Sequence, residues 1–262
     1  MAEEQNGMII KSVVKAMNVI KTVAETGSEG IKLNELVNKL QENRSVVYKL
    51  VMTLVSGGFL KYDRAEKKII IGSALLHVLT ADFKVVSLKK SVNGSLRKLA
   101  EDTGYSGYLG IVENDKAFII DAVDGKKHIR VFASPGEMRY LHTTALGKVL
   151  LAGLNDVKLK EAVNNLTLVK VTEATITSKE KLFEEIKNAR KAGYAISNEE
   201  NYKNVKGIAA PIIDKNGDTL AAFSISFPDF MVADSDLDDL IKIVKEAAKQ
   251  ASEKLHKENS IE

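Results

Sequence analysis

Cysteine is absent from the 262 residues, so the chain has no disulfide, thiolate metal site or cysteine nucleophile. That usage fits a reducing, cytoplasmic setting. No run of 18 apolar residues occurs, which argues against a membrane-spanning helix. The opening MAEEQNGMIIK lacks the basic-then-apolar layout of a secretion signal. His77, His128, His142 and His256 are scattered without ligand spacing, and only His142, beside Thr143, sits near other polar groups that could do chemistry. There is no internal repeat and no low-complexity linker. A chain that is 45% hydrophobic and 28% charged is long enough for two ordinary globular domains.

Charge is unevenly placed. Residues 1–90 carry 14 Lys+Arg against 9 Asp+Glu, whereas the remainder carries 24 against 26, so a polyanionic partner is expected for the front third alone. Within it, Val47, Leu50, Val51 and Leu54 follow i, i+3, i+4, i+7 and form one apolar stripe of a helix over 44–56. Ser45, Tyr48, Lys49 and Met52 fall on the other side. A short amphipathic helix precedes it, with Asn34 as the expected N-cap and Leu36, Val37 and Leu40 inward. Gln41–Asn43 is the turn between them, giving the form of a helix-turn-helix. Gly57-Gly58 then stops the second helix. Phe59–Tyr62 and Lys68–Ile71 read as two strands around the turn 63–67, so the unit is expected to be a winged helix. From Arg44 to Lys68 six basic residues face two acidic ones, a net of +4 where duplex phosphates would lie. A solvated helical hairpin with surface lysines is the plainer alternative.

Ser12 is the expected cap of a first helix running to about Glu25, with Val13, Val14, Met17, Ile20, Val23 and Ala24 inward. Ile31–Leu33 could add a short strand beside the wing. The apolar segment from Ser73 to about Lys84 is expected to be a connector or dimer helix, or a plain interdomain helix. From Ser87 the pattern becomes α+β. A helix to about Asp102 leads into a hairpin, Tyr105–Glu113 and Lys116–Val123, turning at Asn114-Asp115. Arg130–Ala133 is expected as a third strand, closed by Pro135-Gly136. Helices are expected near 144–151, 156–164 and 178–191, strands at 194–197, 205–213 and 220–226, and a long last helix at about 235–255.

Three stretches in this second part invite chemistry. In LHTTALGKVLLA, Leu141–Ala152, two threonines stand just ahead of an apolar helix whose free N–H groups suit a carboxylate or phosphate. A threonine-capped core helix has the same pattern. GYAISNEEN, Gly193–Asn201, runs from a strand into an acidic loop, more often a solvated turn than a site. GIAAPI, Gly207–Ile212, and AAFSISFP, Ala221–Pro228, read as paired strands with Ser224 and Ser226 on one face by the period of two.

These four ordered segments at their mutual spacing, together with the winged helix, resemble the IclR family of bacterial and archaeal transcriptional regulators. The resemblance spans about residues 10–255. It implies an α+β chain: a winged helix-turn-helix DNA-binding domain at 8–72, a linker helix at 73–86 and a GAF-like α/β effector-binding domain at 87–262. It implies no catalysis and no cofactor. The expected partners are a double-stranded DNA operator, a small carboxylate-bearing effector and further copies of the chain, as a homodimer or dimer of dimers, with no membrane. The DNA-contacting residues would be Arg44, Ser45, Tyr48, Lys49, Arg64, Lys67 and Lys68. The effector pocket would fall on Ala145, Leu146, Gly147, Ser197, Gly207, Ser224 and Ser226. Ser197 stands where the family often has aspartate, and Gly207 where it often has cysteine. In the second helix Val46 replaces a common threonine and Lys49 a common arginine, so Lys49 is better suited to phosphate than to a bidentate grip on guanine. A metabolite-binding module whose winged helix contacts protein, and an enzyme, are the competing functions.

Overall fold

The computed structural model describes residues 9–27, 29–75 and 84–258. The chain divides into two compact units between residues 83 and 84. The first contains α1 (Lys11–Ala24), α2 (Leu33–Leu40), α3 (Arg44–Ser56), β1 (Leu60–Asp63) and β2 (Lys68–Ile71). Its small core gathers Val19, Val23, Ile31, Leu36, Val47, Val51, Leu60 and Ile69.

Local chemistry fixes α3 at both ends. The Asn43 side chain accepts from the Ser45 N–H at 2.9 Å, an N-cap that satisfies one of the orphan donors of the first turn. At the other end Gly58 adopts φ +73°. The N–H groups of Phe59 and Gly58 then reach the carbonyls of Leu54 and Val55, at 2.9 and 3.0 Å, closing a Schellman motif. The chain leaves this cap directly into the antiparallel wing, where Leu60 pairs with Ile71 and Asp63 with Lys68.

Several boundaries differ from expectation. Neither Ser12 nor Asn34 is a cap: α1 begins at Lys11 after an extended Ile10, and α2 begins at Leu33. The Lys32 N–H instead donates to Glu35 Oε2 at 3.2 Å, so the glutamate, not the asparagine, satisfies the start of α2. The inner face of α1 is Val19 and Val23; Val13, Val14 and Met17 are exposed, because only the second half of the helix lies on the core. Ile31 makes a single bridge to Ile69, and Leu33 already belongs to a helix. Most of the helix expected over 73–86 falls on 76–83, which lie outside the described residues.

The second unit contains α4 (Lys84–Thr103), β3 (Ser106–Glu113), β4 (Lys116–Val123), β5 (Met138–Tyr140), α5 (Ala145–Ala152), α6 (Asp156–Asn165), α7 (Lys179–Ala192), β6 (Ala195–Asn198), β7 (Val205–Ile213), β8 (Thr219–Pro228) and α8 (Asp234–Glu258). The strands form one antiparallel sheet in the order β5-β4-β3-β8-β7-β6. Side chains alternate across it. Phe223, Ile225 and Phe227 join α4 and α8 on one face, while Ala209, Ala222 and Tyr108 meet α5 and α7 on the other. The β3–β4 turn is tight because Asn114 and Asp115 both take positive φ, 48° and 56°, the pattern of a type I′ hairpin.

Arg130–Ala133 is not a strand. The third strand of that edge is β5, beyond Pro135-Gly136, where Ala117 pairs with Arg139. The segment before it is irregular and is pinned by the Tyr108 hydroxyl, which donates to the Val131 carbonyl. The Val131 carbonyl is thus taken by a side chain rather than by a strand partner.

Candidate functional site

On the winged unit, α3 turns Val47 and Val51 into the core, which by helical spacing leaves Ser45, Tyr48, Lys49 and Met52 outward. Tyr48 is 52% exposed and Met52 44%. Arg44 is exposed and anchored at the turn, its Nη1 donating to Asn34 Oδ1 at 2.8 Å. Ser45 Oγ donates to Asn43 Oδ1 at 2.8 Å, which leaves the exposed hydroxyl oxygen able to accept a hydrogen bond. Arg64 and Lys67 are exposed on the wing turn, and Lys68, half-buried, opens β2. The result is one helix with polar and cationic side chains outward, beside a basic two-stranded wing.

In the second unit, strand register builds a cavity. Ser197 on β6 lies opposite Gly207 on β7, which lies opposite Ser226 on β8; one row along, Ala209, Ser224 and Tyr108 are cross-strand neighbours. Neighbours in such a row share a face. The small residues in both rows leave space under the N-terminus of α5. A Cβ placed on Gly207 would stand 3.0 Å from Ser197 Oγ and 3.7 Å from the Ala145 Cβ, so helix and sheet nearly touch there. Between them lies a cavity of about 60 Å³, open in part to solvent.

Of the seven pocket residues expected from the sequence, Ala145, Leu146, Ser197, Gly207, Ser224 and Ser226 line this cavity. Gly147 does not line it. Its role is steric: a Cβ there would come within 2.3 Å of the Leu141 carbonyl oxygen, so the turn 141–143 can fold back on α5 only over a glycine. Thr144 caps α5 by accepting from the Gly147 N–H at 3.0 Å. The helix ladder starts with Lys148 N–H on the Thr144 carbonyl. The N–H groups of Ala145 and Leu146 precede that ladder and lie at the positive end of the helix dipole. The hydroxyls of Ser197, Ser224 and Ser226 have no protein hydrogen-bond partner among the described residues.

Two cations on the cavity wall were missed in the sequence. Arg139, on β5, is ion-paired with Glu137, and Lys206, on β7, stands 2.5 Å from Asp229 Oδ1. Their only sequence signal is the strand register, which a linear pattern does not carry. Tyr108, also on the wall, has its phenol pushed up to about 12 by burial and therefore remains a donor at neutral pH. Val131 and Phe132 of the loop before β5 close one side.

The acidic stretch after β6 is not a solvated turn. Glu200 is 5% exposed, and its Oε1 accepts from Lys148 Nζ at 2.7 Å. His142 is fully buried, its Nε2 3.0 Å from the Val169 carbonyl, away from the cavity wall. No cluster of metal-ligating side chains occurs among the described residues.

A winged helix followed by this sheet and capped helix is matched by two family profiles. The profile of the IclR helix-turn-helix domain covers residues 12–64, and that described as bacterial transcriptional regulator IclR C-terminal covers residues 80–253. The chain belongs to the IclR family. Its relatives include the HTH-type transcriptional regulator BhcR of Paracoccus denitrificans, 30% identical over 96% of this chain and 88% of that protein. Among solved structures, the IclR protein of Thermotoga maritima aligns with a TM-score of 0.76 at 26% identity, covering 94% of this chain and 98% of the other. An IclR homolog from Microbacterium hydrocarbonoxydans, solved in complex with 4-hydroxybenzoate, shares the fold at a TM-score of 0.74 and 19% identity, covering 92% and 98%. This IclR-family chain is thus a helix-turn-helix transcriptional regulator, as its named relatives are.

Proposed function

We propose that this regulator senses a small organic acid in the cavity under α5 and reads a palindromic operator with α3 and the wing, as a homodimer or dimer of dimers. In this reading residues 8–72 bind DNA, 73–86 link, and 87–262 bind effector. Ser45, Tyr48 and Lys49 face the DNA from α3, Lys49 holding a backbone phosphate together with Arg44, Arg64, Lys67 and Lys68. The observation that carries the effector half is the convergence of three unengaged hydroxyls, Ser197, Ser224 and Ser226, with the N-terminus of α5 on a cavity that Arg139 and Lys206 also line. Each group donates hydrogen bonds or favours negative charge, and a carboxylate accepts up to four. The apolar wall of Ile119, Val131 and Phe132 suits the acid's carbon skeleton.

The test is a thermal-shift and calorimetric screen of the full chain against pyruvate, glyoxylate, sugar acids and 4-hydroxybenzoate. An acid that binds the native state raises the melting temperature by mass action. Stabilisation by at least one acid, and none by the corresponding neutral amide, is expected. No response to any acid overturns the effector half.

A further inference from the structure

Lys148 is a fully buried lysine one turn into α5, and its ammonium is completely engaged: Glu200 Oε1 lies at 2.7 Å, the Ile196 carbonyl at 3.0 Å and Glu185 Oε1 at 3.1 Å. These acceptors come from the loop after β6, from β6 itself and from α7. An ammonium has three protons, and here each meets an acceptor from a different element. Burial raises the Glu200 carboxyl pKa, opposed by the Lys148 charge beside it. One carboxylate oxygen also accepts from the Asn198 N–H at 3.1 Å, while Oε2 has no partner. So much buried charge is not a favourable way to stabilise a fold, since an apolar pair of similar volume does as well or better.

What the pair holds gives it a use. The loop begins at Glu199, with φ +57°, and ends at Asn204, with φ +60°, both non-glycine residues in the left-handed region. Between them Asn201 and Tyr202 stand on the cavity wall. Thr172 and Thr175 tie the carbonyls of Glu199 and Glu200 at 2.7 and 2.8 Å. Thr143, just ahead of α5, reaches Asn201 Oδ1 at 3.2 Å. The Lys148–Glu200 pair therefore joins the helix that offers free N–H groups to the loop that closes the same cavity, one residue before that loop enters the wall.

We propose that Lys148 and Glu200 are positioning residues for the effector cavity, fixing the loop so that Asn201 and Tyr202 stand in register with the α5 N-terminus, and that effector affinity depends on the pair. This rests on the cavity being the effector site. The test compares the full-length parent with Lys148→Met, Glu200→Gln and the double variant. Each single change disturbs a buried charge balance, and the double change removes both charges while conserving volume, so stability returns toward the parent. Amide hydrogen exchange over 199–204 is then measured at equal melting temperature. In the double variant the loop exchanges at least tenfold faster than in the parent, β7 and β8 do not change, and the calorimetric affinity for the acid that binds the parent most tightly, among pyruvate, glyoxylate and 4-hydroxybenzoate, falls at least tenfold. Parent-like loop exchange, or parent-like affinity despite faster exchange, overturns the proposal. If the parent binds none of the three acids, the affinity comparison uses the sugar acid that binds it; if it binds no acid at all, the organic-acid assignment fails while the exchange comparison still decides whether the pair positions the loop. Should the double variant not fold, Glu200→Ala alone serves the same comparison, because it removes the tie to the loop while Glu185 and the Ile196 carbonyl still hold Lys148.

Discussion

Replacing Ser224 by alanine separates binding from folding. Ser224 is 5% exposed, sits between Tyr108 and Ala209 across the sheet, and lines the cavity with its hydroxyl unengaged by protein. Removing that hydroxyl costs the unliganded fold no internal hydrogen bond, and eliminates a nearly buried polar group, so the melting temperature should stay level or rise slightly. A hydrogen bond to a charged acceptor contributes roughly 1.5–3 kcal/mol. At 1.4 kcal/mol per decade, the dissociation constant of the acid should rise by about 10- to 150-fold. Isothermal titration of parent and Ser224→Ala with the same acid measures this directly, with a denaturant melt as the control. The distinguishing signature is a large affinity loss without a stability loss. Parent-like affinity refutes the placement of the acid on this row of β8, and a fall in affinity matched by a fall in stability refutes the claim that the hydroxyl is held ready for a ligand.

Three further outcomes follow from the geometry. Lys49→Ala and Lys67→Ala should each flatten the dependence of operator affinity on salt by about 0.9 in the log–log slope, one phosphate contact apiece, as read by fluorescence anisotropy at several salt concentrations. Asn43→Ala removes the acceptor that caps α3 and should destabilise the winged unit by about 1 kcal/mol, seen as earlier loss of protection in α3 amides by hydrogen exchange. Burial lowers the His142 pKa below its ordinary 6.5, so the unfolded chain binds a proton there that the native chain refuses. Stability should therefore fall as pH drops through 6.5, and His142→Gln, which can still donate to the Val169 carbonyl, should lessen that fall in urea melts at pH 7.5 and 5.5.

The fold was legible where periodicity and turn chemistry agree. The stripe Val47–Val51, the Gly57-Gly58 stop and the Asn114-Asp115 hairpin each state a local conformation that the tertiary structure keeps. Cap placement at Ser12 and Asn34 was misleading because Ser and Asn also occur inside helices. There a glutamate or an extended apolar residue set the boundary instead. Ser224 and Ser226 announced a shared face by their spacing, but Arg139, Lys206 and Tyr108 reach the same cavity only through the pairing of β4 with β5, β7 with β8 and β3 with β8. Register between distant strands has no short-range signal. The burial of Glu200 was hidden for a related reason: its partner lies 52 residues away, on a helix that reads as purely apolar around Lys148.

A regulator that senses an acid in the cavity and reads DNA with the winged helix must couple the two ligands, and reciprocity makes that coupling directly measurable. The affinity of the full-length chain for a labelled duplex from the region upstream of its own gene is determined without acid and with saturating acid, and the acid affinity without and with saturating duplex. A regulator of this kind should show a change of roughly 5- to 150-fold in DNA affinity, with the same factor appearing in the acid affinity. Equal DNA affinity with and without an acid that demonstrably binds would contradict the account.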